Sequence, residues 1–281
     1  MMMQQQTTLN CAGRLIDLSR PRIMGILNIT PDSFYDGGTL ANEKDLLLRA
    51  EKMLTEGATF LDIGGMSSRP GAEVISVEEE LARVIPAVQA VVHAFPEAFI
   101  SVDTVRSATA KQAVANGAHL INDISAGQFD ENLYQTVADL GIPYVLMHMQ
   151  GQPKTMQTAP DYEDVVQDVL DFFIGEVAEL RALGVKDIIL DPGFGFGKTV
   201  EHNYELLRKM HLFEMLELPV LAGISRKSMI CKPLKVNPQD ALNGTTALHM
   251  IALQQGAKIL RVHDVREAAE CIVLFDTCRP L

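Results

Sequence analysis

The chain has 281 residues, of which 47% are hydrophobic, 21% charged and 6% aromatic. That mix belongs to a globular protein and excludes a disordered or collagen-like chain. Thirty-six acidic residues against 24 basic ones give a net charge of −12, which argues against binding nucleic acid or an anionic membrane along their phosphates. An anionic small substrate remains compatible, because a pocket can be locally basic.

Residues 1–8 read as a disordered tail. The segment is polar (MMMQQQTT) and lacks the basic and apolar regions of a signal peptide. No window of about 18 apolar residues occurs, so no membrane span is expected. Residues 9–281 read as one domain, and 9–18 as a short hairpin or flap under it. Short, β-branched-rich, nearly continuous apolar runs follow at 23–28, 60–64, 99–103, 119–123, 144–147, 188–191, 220–223 and 259–262. Runs of this kind are expected of parallel strands buried on both faces. Helical stretches lie between and after them, near 43–56, 76–94, 105–116, 130–140, 161–183, 200–216, 238–255 and 264–277. In 161–183, Val165, Val169, Phe173, Val177 and Leu180 share one helical face.

Glycines 57, 117, 141, 184 and 256 each end a helical stretch just before a strand, where a helix terminates in the left-handed conformation. The repeat of one βα unit eight times indicates an α/β single-domain (β/α)8 TIM barrel. A doubly wound open sheet is the runner-up, but no G-x-G-x-x-G opens a helix after the first strand. The cysteines at 11, 231, 271 and 278 form no C-x-x-C pair. Scattered in this way they read as reduced thiols of a cytoplasmic protein.

The reactive end of such a barrel is the C-terminal edge of its strands. There the sequence places Asn28; Ser67, Ser68 and Arg69; Asp103; Asn122 and Asp123; His148; Asp191; Ser225 to Ser228; and Arg261, His263 and Asp264. A single acid after a strand caps a helix more often than it catalyses. Asp123 and Asp264 fit that bland reading, and His148 fits a buried wall histidine. Asp103, Asn122, Asp191 and Lys227 differ, because they come from four strands and face one mouth. Gly197-Lys198-Thr199 ends like a P-loop, but Pro192 occupies the required first glycine position. No zinc-protease helix motif or serine elbow is present.

The motifs GILNITPDSFYDGG (25–38), GGMSSRPGAE (64–73), SVDT (101–104), INDI (121–124), LMHMQGQPKTMQ (146–157), LDPGFGFGK (190–198), GISRKSMI (223–230) and RVHDV (261–265) run in order along nearly the whole chain. This ordered set resembles the dihydropteroate synthase family of folate biosynthesis. The resemblance implies a transferase that joins 6-hydroxymethyl-7,8-dihydropterin diphosphate to p-aminobenzoate, giving 7,8-dihydropteroate and diphosphate. It implies that Asp103, Asn122, Asp191 and Lys227 hold the pterin. Asn28, Arg261 and His263 would anchor the diphosphate, with Asn28 also a ligand of Mg²⁺. Ser67, Ser68, Arg69, Pro70, Ser228 and Phe196 would line the p-aminobenzoate side. Asp103, Lys227, Arg261 and His263 would carry the catalysis, and Asp36 would help hold the metal. A homodimer is expected on the same basis.

One departure stands out: Met66 and Ser68 occupy positions where the family commonly has Glu and Thr. Ser68 keeps a hydroxyl, whereas Met66 removes a charge beside the p-aminobenzoate loop. Two other classes share the barrel, a methyltetrahydrofolate–corrinoid type methyltransferase and a non-catalytic pterin-binding paralogue. The Ser-Ser-Arg-Pro loop and the Ser-Arg-Lys-Ser run argue against the first.

Overall fold

The computed structural model describes residues 6–29, 40–66, 75–151, 156 and 160–278. An antiparallel hairpin comes first, β1 (Thr8–Cys11) against β2 (Arg14–Asp17), in the register Thr8↔Asp17 and Cys11↔Arg14. The chain is therefore tied down earlier than the expected tail boundary at residue 8, since the Gln6 N–H already donates to the Glu217 carbonyl at 2.9 Å.

Eight strands follow: β3 (Arg22–Asn28), β4 (Phe60–Gly64), β5 (Phe99–Asp103), β6 (Leu120–Asp123), β7 (Tyr144–Met147), β8 (Ile188–Asp191), β9 (Val220–Ala222) and β10 (Ala257–Val262). All their pairings are parallel, and β10 pairs with β3 to close the barrel. The helices among the described residues are α1 (Leu40–Thr55), α2 (Val77–Ala94), α3 (Ser107–Ala115), α4 (Leu133–Leu140), α5 (Val165–Ala182), α6 (Val200–Lys209), α7 (Ser228–Leu234), α8 (Leu242–Gln254) and α9 (Val265–Cys278). The expected (β/α)8 barrel with its N-terminal hairpin is the observed fold. The five joint glycines all have positive φ, from 64° at Gly141 to 109° at Gly57.

Several boundaries differ from the pattern reading for local reasons. Asp164 caps α5 by accepting from the N–H groups of Val166 and Gln167, so that helix starts at 165 rather than 161. Pro238 opens a separate 3₁₀ turn, Pro238–Asp240, and α8 begins only at Leu242. The stretch after α6 tightens into a 3₁₀ helix, Met210–Leu216, that ends at the left-handed Glu217. The α7 helix, Ser228–Leu234, falls between the helical stretches expected at 200–216 and 238–255.

Strand side chains alternate between barrel interior and helix layer. The lowest interior tier holds Met24, Phe60, Leu120, Val145, Ile189, Leu221 and Ile259, in one buried cluster with Leu9, Cys11, Ile16 and Leu18 of the hairpin and its exit. The hairpin is therefore a plug in the N-terminal end of the barrel. Each fully buried aliphatic there contributes about 1.5–3 kcal/mol. The larger cluster lies between strands and helices and includes the five predicted α5 residues.

Candidate active site

Two residues beyond the apolar tier, the same alternation brings polar side chains into the interior. Phe60 is followed by Asp62 and Gly64, Phe99 by Ser101 and Asp103, Leu120 by Asn122, Ile189 by Asp191, and Ile259 by Arg261 and His263. The register aligns Asn28 with Gly64, Gly64 with Asp103, and Asp103 with Asn122. Gly64 keeps that rim open: a Cβ there would lie 3.4 Å from the Asp103 Cβ and 3.5 Å from Asn28 Oδ1. Asn28 and Asp103 thus flank one gap at the mouth.

The centre of the site is a residue the sequence reading did not single out. Asp62 is fully buried. Its Oδ1 accepts from Ser101 Oγ at 2.5 Å, and its Oδ2 accepts from Asn122 Nδ2 at 3.0 Å and Arg261 Nε at 2.6 Å. Arg261 also donates through Nη2 to Asp103 Oδ2 at 2.7 Å. One guanidinium is thus clasped by two carboxylates, and the charge-assisted bonds hold it along the barrel axis. A carboxylate in mid-strand, on the interior parity, between Leu61 and Ile63, was the available signal.

Burial pushes the Asp103 carboxyl up to about 7, against the pull of Arg261. Burial likewise raises Asp191, partly offset by Lys227 and by the Gly193 N–H that donates to Asp191 Oδ1 at 2.8 Å. Lys227 is pulled down to about 8 by burial, and Asp191 opposes that shift. Its ammonium donates to the Phe194 carbonyl and stands 4.6 Å from the centre of the Phe196 ring. A Cβ on Gly223 would lie 3.7 Å from Asp191 Oδ2 and 3.8 Å from Lys227 Nζ, so the absence of a side chain there lets the two approach.

Asp62, Asp103 and Asp191 face Arg261 and Lys227 in one cup, three carboxylates against two cations. The cup carries one surplus negative charge when all are ionised, and Arg261 opposes the burial that raises Asp103. An apolar wall stands beside it, built from Val105, Ile124, Met147, Met149, Met156 and Phe196. Met66 packs on this wall, which accounts for a thioether at that position.

His263 sits on the rim, with Ser225 Oγ at 3.0 Å from its Nδ1. Arg226, at φ 57°, turns away from the mouth and forms a two-pronged pair with Asp264 at 2.8 and 2.7 Å. Asp264 therefore clamps the loops after β9 and β10 together. Asp123 organises the loop after β6, accepting from Ser125, Gly127 and the Tyr144 hydroxyl, so both acids tie loops together and neither side chain is the helix cap that was expected. His148 is a buried wall residue, tied to Lys198. Ser228 is exposed at the first turn of α7. Ser67, Ser68, Arg69, Pro70 and Asp36 lie outside the described residues.

A closed parallel barrel with acids, an amide and two half-buried cations at the carboxyl ends of its strands has the layout of an enzyme mouth. A family model described as "Pterin binding enzyme" matches residues 24–263. The chain is 49% identical to the dihydropteroate synthase of Haemophilus influenzae over 264 residues, 93% of this chain and 95% of that protein. The crystal structure of the Yersinia pestis dihydropteroate synthase with a sulfonamide drug has a TM-score of 0.90 to it at 46% identity, covering 96% of this chain and 98% of that one. The Xanthomonas albilineans dihydropteroate synthase, solved in complex with 7,8-dihydropteroate, has a TM-score of 0.86 at 39% identity, covering 97% and 100%. The chain belongs to the pterin-binding enzymes, and within them to the dihydropteroate synthases. It is accordingly a transferase of folate synthesis. Among the described residues, no helix is long and apolar enough to cross a membrane.

Proposed function

We propose that the cup binds the pterin ring of 6-hydroxymethyl-7,8-dihydropterin diphosphate, and that the rim takes its diphosphate while p-aminobenzoate enters beside Phe196. The convergence of Asp103, Asn122, Asp191 and Lys227 from four strands carries this reading. The 2-amino-pyrimidinone edge of a pterin offers N–H donors that a buried carboxylate accepts, and its carbonyl and ring nitrogens take N–H groups from Asn122 and Lys227. A site that pairs every polar atom rejects analogues lacking one. The apolar wall of Met147, Ile124 and Phe196 suits the faces of a flat bicycle. The product found in the Xanthomonas albilineans relative unites the same two substrates.

The chemistry follows from charge. Loss of diphosphate leaves positive charge on the exocyclic methylene carbon, delocalised into the ring nitrogens. The surplus negative charge of the cup, focused at Asp103, stabilises that developing cation. The amine of p-aminobenzoate then attacks it, a dissociative displacement. Arg261 and His263 take the departing anion at the strand ends, while Lys227, 4.6 Å from the Phe196 ring, orients both substrates. Ser228 at the start of α7, together with Ser67, Ser68 and Arg69, receives the p-aminobenzoate carboxylate.

Among the described residues, no three His, Cys, Asp or Glu side chains group to hold a metal ion. The exposed Asn28 at the rim supplies one neutral oxygen. That donor fits Mg²⁺ carried in on phosphate oxygens, since this ion keeps several waters and uses few protein ligands. Asn28, with Asp36, would hold it, and a metal held there would supply charge neutralisation for the leaving diphosphate. Four free cysteines support a cytoplasmic location. Exposed Ile251, Val273 and Leu274 on the adjoining helices α8 and α9 support a homodimer formed through barrel helices.

Incubating the protein with the pterin diphosphate, p-aminobenzoate and Mg²⁺ tests the reading. Diphosphate release that requires p-aminobenzoate is the expected result. Release without it, or no turnover, contradicts it.

A further inference from the structure

The lysine of the Gly197-Lys198-Thr199 segment, which resembles a P-loop ending, turns back onto its own loop. Lys198 is 2% exposed. Its Nζ lies 2.9 Å from His148 Nδ1, 3.1 Å from the carbonyls of Gly193 and Phe196, and 3.3 Å from the His148 carbonyl. The three carbonyls are acceptors, and Nδ1 accepts in the neutral imidazole, so the geometry suits an ammonium with three protons to donate, against the burial that pulls Lys198 down to about 7. Nδ1 accepts only from a neutral imidazole, which puts the histidine proton on Nε2. Burial and the facing Lys198 hold His148 in that neutral form.

The loop that Lys198 gathers lies flat on the segment after β7. Gly193 has φ 68°, and a Cβ there would meet the His148 carbonyl oxygen at 1.8 Å. Gly197 has φ 60°, and a Cβ there would meet the Gln150 carbonyl oxygen at 2.2 Å. The other side of the same loop faces the mouth, where the Phe194 carbonyl and the Phe196 ring receive Lys227. Two lysines therefore grip one six-residue loop from opposite sides.

We propose that Lys198 is a positioning residue for Lys227: its buried ammonium draws the Gly193 and Phe196 carbonyls onto His148, and so fixes the Phe194 carbonyl and the Phe196 ring that hold the Lys227 ammonium at the mouth. A loop left without this tie has three carbonyls and an imidazole nitrogen lacking their donor, and moves to reach water. A displacement of about 1 Å in a binding group costs roughly 100-fold where geometry is strict.

The test replaces Lys198 by methionine in the full chain. The effect on ligands rests on the pterin reading above; the effect on Lys227 itself does not. Lysines are labelled with ¹³C at Cε, and Lys227 is assigned by Lys227→Arg. In Lys198→Met the Lys227 signal of the ligand-free protein should move. Affinity for 6-hydroxymethylpterin should fall roughly tenfold or more, while affinity for inorganic diphosphate stays within about twofold, since the rim residues Asn28 and His263 are untouched.

An unmoved Lys227 signal overturns the proposal. So does a parallel loss of both affinities with loss of cooperative melting, which marks a merely structural lysine. If Lys198→Met does not fold, Lys198→Gln supplies fewer N–H groups and should move the same signal in the same direction. A folded Lys198→Gln protein with wild-type signal and wild-type pterin affinity also overturns it. Normal pterin affinity in Lys227→Met would instead remove the pterin reading, and the Lys227 signal in Lys198→Met would still decide the inference.

Discussion

Asp62 is the residue whose removal tests the site most sharply without touching the rim. Three donors meet its two oxygens, Ser101 Oγ, Asn122 Nδ2 and Arg261 Nε, and Arg261 Nη2 stands 2.6 Å from Oδ2 in the ion pair. Asp62→Asn keeps the volume but turns one oxygen into an amide that points N–H groups at other N–H or O–H donors. Both partners are buried, Asp62 fully and the Arg261 side chain at 16% exposure, so water does little to screen the pair. Breaking such a pair from one side costs about 3–5 kcal/mol. For a domain of this size, each kcal/mol shifts Tm by about 2–4 °C, so a fall of roughly 10 °C is expected in a thermal scan.

The catalytic effect follows from the same bonds. Arg261 falls back on Asp103 alone, and Asn122 loses the acceptor that orients its amide. The expected loss in kcat/KM is about 100-fold, or about 2.7 kcal/mol. Arg261→Met combined with Asp62→Asn should destabilise by clearly less than the sum of the two, because each single variant strands a buried charge or its partner. Asp62→Asn with stability within about 0.5 kcal/mol of wild type and unaltered kcat/KM would refute the reasoning.

Other outcomes follow from the same geometry. Asp103→Asn should lower kcat by roughly 100- to 1000-fold with KM changed only a few-fold, as for a charge that acts on the transition state; equal losses in binding and turnover would remove it from that role. Asp103 also predicts a pH dependence. Its carboxyl is raised in the folded chain from 3.8 to about 7, so between those values the folded state holds more protons than the unfolded one, and stability falls as pH rises. Asp103→Asn should flatten that descent in urea titrations taken across the same window. A chelator should abolish condensation and added Mg²⁺ restore it; calorimetry without diphosphate should show no comparable Mg²⁺ binding, because Asn28 and Asp36 would offer few protein oxygens without those of the diphosphate.

The barrel was legible in the chain because its signals are local and repeated. Strands such as 60–64 and 99–103 are short apolar runs with clear punctuation, and glycines such as Gly141 mark the helix ends. Residues at strand termini were legible too, since the rule for parallel barrels assigns function to that edge. What escaped lies one step inward. Asp62 is in mid-strand, and its alternation with Phe60 and Gly64 was the signal, but which face of the strand is interior follows only from the closed barrel. Lys198 escaped for a different reason. Its partners, the carbonyls of Gly193, Phe196 and His148, are backbone atoms, and backbone acceptors leave no trace in residue identity. The hairpin was expected under the barrel, but that Leu9, Cys11, Ile16 and Leu18 plug it was not legible, because they meet their partners only when the barrel has closed. Helix starts shifted where one side chain decided the matter, as Asp164 does for α5.

The most direct measurement of the central claim is a crystal structure of the protein soaked with 6-hydroxymethylpterin. The account predicts the bicycle inside the strand ends, with its polar edges within hydrogen-bond distance of Asp103, Asn122, Asp191 and Lys227 and one face against the Met147 wall. Density for the ligand outside that cup, or an unchanged cup at saturating ligand, would contradict it.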